Sequence, residues 1–232
     1  MDEIRAFELL KKLAFTRMSG TEEEYTAAKM LAAEAESIGV NCEIEPFTVQ
    51  DGEVDRAELE VLEPFQAKYE VTGMRRSLDT GDEGIEADFV YVENALEANL
   101  VDVKDKIVLY NGYLNYDPYE RIQKAGAKGI IAFSGSILEK PEDMEIALRA
   151  LRPKMTDAFG DTYAVNMRVA DAMDMVRRGA TRVRMVVRSR KVDLPSHNVY
   201  ATIPGTKYPD EIISLGAHYD STEYSKGVYD NG

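Results

Sequence analysis

The spacing of apolar and polar positions predicts that the chain begins with two helices followed by a strand. Apolar side chains recur at helical spacing over residues 2–16, and a second helix is expected over residues 21–38. Thr21 and Glu24 have the spacing of a capping box, in which each side chain accepts a hydrogen bond from the other residue's backbone. Gly39 is suited to ending this helix. The alternating stretch "VNCEIEPFTV" that follows predicts a strand.

From about residue 57 onward, short strands predominate. Strands are predicted at "AELEVLE", "ADFVYVE", "DKIVLYNG", "GIIAF", "TYAVNM" and "TRVRMVV", and then at residues 197–203 and 211–217. The last two are joined by "PGTKYPD", whose proline and glycine favour a turn. One helix is predicted at "DPYERIQKAG", with Asp117 as N-cap and Pro118 at its first position, and another at residues 169–178.

This order of elements predicts an α/β fold that is interrupted by an insertion. Residues 1–57 and 189–232 are expected to form one α/β domain, split between the two ends of the chain. Residues 58–188 are expected to form a strand-rich block inserted into it. The stretch from 135 to 160 gives no clear element.

Composition and charge narrow the range of partners. The chain has 232 residues and a net charge of −14, which argues against a broad nucleic-acid or anionic membrane surface. Cys42 is the single cysteine, so an intrachain disulfide is excluded. The apolar runs are far shorter than a membrane span, and the charged helical start does not resemble a signal peptide. The sequence therefore predicts a cytoplasmic protein.

The candidate chemistry lies in "LGAHYDSTEYSKGVYDNG", residues 215–232. In an extended segment His218 and Asp220 face the same side, so the carboxylate can hold one imidazole nitrogen while the other binds a metal. Asp230, on the next element, could bridge two cations. These ligand types suit zinc better than calcium. On residue types alone, a strand-end histidine followed by an Asp-Asn-Gly hairpin turn fits equally well.

A longer stretch favours the metal interpretation. The run from "LPSHNVYATIPG" through "LGAHYDS" to "GVYDNG" resembles the segment around the first metal ligands in zinc aminopeptidases with two co-catalytic metals. The resemblance implies an α/β sandwich with a mixed sheet flanked by helices, two zinc ions, and a peptide substrate with a free N-terminus. By motif position it makes His218 and Asp230 metal ligands, and it makes Asp220 the catalytic-site carboxylate that orients His218.

The inserted block has a resemblance of its own. "VKDKIVLYNG" and "YERIQKAGAKGIIAFSG" are similar to a protease-associated domain, which many of these peptidases carry at this place in the chain. Where that domain often has a Gly-x-Cys-x-Phe pattern, this chain has "NGYLNYDPY". Two roles are open for the tyrosines here, a peptide-contacting surface or mixed packing and loop positions, and packing is favoured. The four residues are Tyr110, Tyr113, Tyr116 and Tyr119.

The same resemblance implies residues that these 232 positions do not supply. In the family, the Asp-Asn pair is soon followed by two glutamates, one the general base and one a metal ligand, and later by an aspartate and a histidine. The chain is therefore expected to be the front part of a peptidase, unable by itself to hydrolyse peptides or to hold two zinc ions. His197, the other histidine, is expected to be structural.

Two other functions stay open at this point. One is a non-catalytic homologue that serves as a binding or docking module, although such relatives typically lose the metal ligands that this chain retains. The other is a carboxypeptidase or dipeptidase with the same metal core. If the 232 residues are the front part of a peptidase, the strands and helices that would cover the predicted strand at 211–217 are missing. The apolar run "IISLGA" would then present an uncovered edge or face, which favours self-association into a homo-oligomer.

Overall fold

The computed structural model describes residues 3–133, 135, 146, 148–222, 227 and 228. The chain forms two compact units, a terminal unit made of Met1–Gln50 with Asp193–Gly232, and a middle unit, Asp51–Val192. The boundary between the units falls within two long strands, β1 (Glu43–Glu63) and β8 (Arg182–Tyr200). The assignment of these parts to a peptidase domain and a protease-associated domain stays a prediction.

The described elements form a mixed α/β fold, and the predicted fold class is confirmed. The helices are α1 (Glu3–Lys12), α2 (Glu22–Glu36), α3 (Tyr116–Lys124), α4 (Pro153–Phe159) and α5 (Val169–Arg177), with a 3₁₀ turn at Glu97–Asn99. The remaining strands are β2 (Ala67–Tyr69), β3 (Val71–Gly73), β4 (Ile85–Tyr91), β5 (Ile107–Asn111), β6 (Gly129–Phe133) and β7 (Tyr163–Met167). Among the described residues, no helix is both long and apolar enough to cross a membrane.

A single mixed sheet joins these strands in the order β2-β1-β8-β4-β5-β6-β7-β3. Strands β4, β5, β6 and β7 are parallel neighbours, whereas β8 pairs antiparallel with β4 and β3 pairs antiparallel with β7. Strands β5, β6 and β7 are buried on both faces over most of their length, which explains why their sequences are largely apolar rather than alternating. Strand β4 differs, because Glu86 and Asp88 alternate with its buried side chains and are exposed.

Each face of the parallel strands packs in a separate hydrophobic cluster. Ile107 and Ile131 lie on one face, in the cluster that includes Met175 of α5. Their neighbours Val108 and Ile130 lie on the other face, with side chains of α3 and α4. Because side chains alternate along a strand, one residue of shift would exchange the two clusters, so the register is strongly specified.

Two local predictions are wrong, and one helix was not predicted. Helix α3 begins at Tyr116 with Asn115 as N-cap, so Asp117 is not the cap and lies in the first turn. Pro118 is tolerated there because the first amides of a helix have no intrahelical partner. Helix α4 was not predicted, since seven residues are too few to show a helical period.

The third difference concerns residues 211–217, which were predicted as a strand but form none in the structure, while β8 ends at Tyr200. Ile212, Ile213 and Leu215 are 90–93% exposed. An isolated extended segment gains little from apolar alternation, because backbone pairing and a covered face are what stabilise a strand. Within the described part of the chain, neither is provided here.

Candidate metal centre

Within the terminal unit, hydrogen bonds to Arg17 hold residues 219–221 of the candidate metal motif in place. The Arg17 amide donates to Ser221 Oγ at 2.9 Å, and the Ser221 amide donates to the Arg17 carbonyl oxygen at 3.0 Å. The buried guanidinium of Arg17 donates to the carbonyl oxygens of Tyr219 and, at 2.7 Å, Leu13. Burial lowers the pKa of Arg17, and the negative charge of Asp220 opposes that shift. These bonds hold residues 219–221 in a defined course.

His218 and Asp220 lie together on the exposed side of this segment. His218 Nδ1 is 2.9 Å from Asp220 Oδ1 and 3.1 Å from the Asp220 carbonyl oxygen. Their side chains are 57% and 44% exposed. Two acceptors at Nδ1 favour the neutral tautomer with the proton on that nitrogen, which leaves the Nε2 lone pair directed away from the carboxylate. The contact that the two-residue spacing predicts is present, while the roles of ligand and supporting carboxylate stay predictions.

Tyr219, between these two residues, points the other way into a buried polar network. Its hydroxyl donates to Glu24 Oε1 and lies 2.6 Å from the carbonyl oxygen of His197. Burial, followed by the hydrogen bond to Glu24, raises the pKa of Tyr219 well above its ordinary value. A phenol so placed keeps its proton and acts as a hydrogen-bond donor.

Glu24 is the centre of this network. Its side chain is 1% exposed, and its Oε2 is 3.0 Å from His197 Nδ1 while Oε1 accepts from the His197 amide at 3.2 Å. The predicted capping box is therefore only half formed. Thr21 Oγ1 accepts from the Glu24 amide at 3.2 Å, but the Glu24 oxygens accept from His197 and Tyr219 instead of the Thr21 amide. Long-range donors have replaced the local one.

His197 has the surroundings of a structural residue. Its ring stacks on Tyr25 with the centroids 4.3 Å apart, and its Nδ1 faces the buried carboxylate of Glu24. A cleft of about 320 Å³ in the terminal unit is lined by His197 on one side and by His218 and Asp220 on another. The two histidines of the chain therefore border the same cleft.

Asp230, the other predicted metal ligand, lies outside the described residues. Within the described part of the chain, no group of three or more His, Cys, Asp or Glu side chains is gathered as a metal site. The donor set still fits zinc as far as it is described, because an imidazole with its second nitrogen held by a carboxylate is the usual form of a zinc-binding histidine. The pairing of His218 with Asp230 stays a prediction.

The tyrosine series of the inserted block is divided between core and surface. Tyr110 and Tyr119 are buried, and burial raises the pKa of both. Tyr113 and Tyr116 are exposed, and the Arg149 guanidinium lies 4.8 Å from the centre of the Tyr113 ring. This mixture of packing and loop positions is the alternative that the sequence favoured over a continuous peptide-contacting surface.

Comparison with known proteins identifies the source of the motif. Residues 198–232 match the model of Peptidase family M28. The expected resemblance to zinc peptidases is confirmed. The M28 match spans the end of β8, the segment with Pro204 and Gly205, and the motif containing His218, Asp220 and Asp230.

Curated relatives match nearly the whole chain. Carboxypeptidase Q of Bos taurus is 27% identical over 254 residues, covering 98% of this chain and 52% of the relative. Carboxypeptidase Q of Xenopus laevis is 28% identical and covers 93% of this chain and 49% of the relative. The chain thus spans about half the length of these relatives.

Solved structures show the same fold. An aminopeptidase from Aneurinibacillus sp. strain AM-1 is 23% identical with a TM-score of 0.70, covering 97% of this chain and 54% of that one. A zinc aminopeptidase from Bacillus subtilis is 20% identical with a TM-score of 0.71, covering 97% and 53%. The mixed sheet flanked by helices is therefore the architecture found in these two aminopeptidase structures.

Proposed function

We propose that this chain is part of a zinc-dependent exopeptidase, an aminopeptidase that removes N-terminal residues from peptides. The observation that carries the proposal is the His218–Asp220 pair, with 2.9 Å between Nδ1 and Oδ1, inside the segment that matches Peptidase family M28. A carboxylate that fixes the tautomer of an exposed histidine favours a metal site, and non-catalytic relatives typically lose such residues.

The residues of this chain have distinct roles in the proposed centre. His218, through Nε2, and Asp230 would hold zinc, and Asp220 keeps the proton on His218 Nδ1. Bound zinc supplies Lewis-acid chemistry, which lowers the pKa of water and polarises a peptide carbonyl. The general-base glutamate that the resemblance implies is not among these 232 residues. We therefore expect the 232-residue chain by itself to be inactive and to lack the ligands for two tightly bound zinc ions.

A second candidate function is supported by a specific observation. The carboxypeptidase Q relatives are 25–28% identical over 93–98% of this chain, whereas the aminopeptidases are similar in fold at lower identity. A carboxypeptidase would use the same metal-binding residues but recognise a free carboxylate in place of a free amine, and a dipeptidase would recognise both.

The experiment uses the full-length gene product with two substrate classes. Amino-acid p-nitroanilides have a free amine and no carboxylate, and N-acetylated dipeptides have a free carboxylate and no amine. We expect hydrolysis of the p-nitroanilides that is abolished by a chelator and restored by zinc. Chelator-sensitive hydrolysis of the acetylated dipeptides alone would establish the carboxypeptidase alternative. Cleavage of neither class, nor of unblocked dipeptides, would contradict a catalytic function.

A further inference from the structure

We propose that Glu24 is a positioning residue of this metal centre, acting through Tyr219 on the orientation of His218 and Asp220. The inference deepens the proposed function and rests on it, since an oriented imidazole serves a purpose in binding a metal. Glu24 lies 195 residues from Tyr219 in the chain, so this link is made by the fold.

The first step in the argument is the alternation of side chains along residues 218–220. His218 and Asp220 face solvent, and Tyr219 between them is turned into the terminal unit. In an extended segment adjacent side chains lie on opposite sides, so any rotation of the segment about its axis moves all three together. The orientation of the exposed pair is therefore determined by what holds Tyr219.

The second step is the strength with which the Tyr219 hydroxyl is held. It donates to a buried carboxylate, and a hydrogen bond to an ionised acceptor is about twice as strong as one between neutral groups. The Tyr219 carbonyl also accepts from the buried guanidinium of Arg17, which fixes the other side of the same residue. Tyr219 is thus fixed at its backbone and at the far end of its ring.

The third step is the rigidity of Glu24. Its backbone is set by the Thr21 cap at the start of α2, and its oxygens accept from the amide and Nδ1 of His197 as well as from Tyr219. A carboxylate buried in this way is costly unless all its donors stay in place, so the side chain has a single favourable arrangement. This arrangement gives Tyr219 a defined position.

A purely structural role for this network predicts something different. In that case the loss of the Tyr219 hydroxyl would lower the stability of the terminal unit without changing the His218 ring. A positioning role predicts a change at His218 itself, because a looser Tyr219 lets the His218–Asp220 contact open. The ratio of the Nδ1–H to the Nε2–H tautomer of His218 therefore distinguishes the two roles.

The test is Tyr219→Phe, which keeps the ring and removes the hydroxyl. The matched control is Tyr200→Phe, whose hydroxyl donates to Glu43 at 2.7 Å on the exposed surface. The readout is the imidazole ¹⁵N spectrum of the metal-free 232-residue chain at pH 8, where two histidines give two sets of signals. In Tyr219→Phe, we expect the ratio of the Nδ1–H to the Nε2–H tautomer of His218 to fall about fivefold, as for a lost hydrogen bond.

The control and a second variant complete the test. Tyr200→Phe should leave the His218 tautomer ratio at its wild-type value. Glu24→Gln, which removes the charge, should change the ratio in the same direction as Tyr219→Phe, and thermal unfolding of each variant shows whether it is folded. An unchanged ratio in folded Tyr219→Phe would overturn the inference. Because no metal or substrate is present, this result is independent of whether the full-length product proves to be a peptidase.

Discussion

Two apolar segments with similar sequences behave differently in this molecule. "GIIAF" forms β6 in the middle unit, where Ile131 is fully buried and the strand is paired with β5 and β7. "EIISL" in the terminal unit forms no strand, and Ile213 is 90% exposed. The same residue types are therefore buried or exposed according to whether neighbouring strands cover them. An apolar pattern is compatible with a strand, but the strand forms only where neighbouring strands pair with the segment.

The largest expected effect comes from truncating one isoleucine in each segment. Ile131→Ala should lower the free energy of unfolding by about 3–4 kcal/mol, because it leaves a cavity in a packed cluster. Ile213→Ala should change it by less than about 0.5 kcal/mol, because the side chain packs against little. Chemical denaturation followed by circular dichroism measures both. A comparable loss in the two variants would show that residue 213 is covered in solution.

The second prediction concerns the part of the terminal unit that is closely packed. Gly227 has φ +79°, and a Cβ there would lie 2.1 Å from the Phe15 carbonyl oxygen. Gly39 has φ +84° with nothing within 4 Å of its Cβ position. Gly39→Ala should lower the free energy of unfolding by about 1–2 kcal/mol, because alanine is strained in the left-handed conformation. Gly227→Ala should lower it by more, because its Cβ would also collide with backbone atoms.

Thermal unfolding of the two glycine variants provides the measurement. A lower midpoint for Gly227→Ala than for Gly39→Ala is expected, since only Gly227 meets backbone atoms at close range. Equal midpoints would mean that the segment near Arg17 is not held as tightly as the hydrogen bonds to residues 219–221 indicate.

The smallest expected effect is on self-association through the exposed apolar segment. Ile212, Ile213 and Leu215 form an uncovered group that favours contact with a second copy of the chain. Sedimentation velocity of the 232-residue chain should show a sedimentation coefficient that rises with concentration. Replacing Ile213 and Leu215 together with Lys should weaken the association by at least about tenfold. A concentration-independent monomer for the unsubstituted chain would contradict this prediction.

The features best predicted from the sequence depend on residues that are close together in the chain. Strands β5, β6 and β7 were located because each is a short, mostly apolar run, and β4 was located because its apolar and polar residues alternate. The His218–Asp220 contact was predictable because two residues of extended chain are enough to bring the groups together.

The features that escaped prediction depend on partners far away in the chain. The side chain of Glu24 was expected to return to Thr21, three residues away, but it accepts from His197, 173 residues away. A run of glutamates at a helix start gives no signal for that choice, because the local capping geometry would be equally favourable. The strand prediction for residues 211–217 was wrong for a related reason. Their pattern indicates a strand, but it cannot show whether a partner strand is present.

The central claim is that His218 is a zinc ligand supported by Asp220, and one experiment tests it directly. Zinc content and chelator-sensitive hydrolysis would be determined for the full-length gene product and its His218→Ala and Asp220→Asn variants. Asp220→Asn should reduce activity by roughly 10–100-fold, as for other carboxylates that orient a metal ligand, and His218→Ala should reduce it further with loss of bound zinc. Full zinc content and unchanged hydrolysis in His218→Ala would contradict the account.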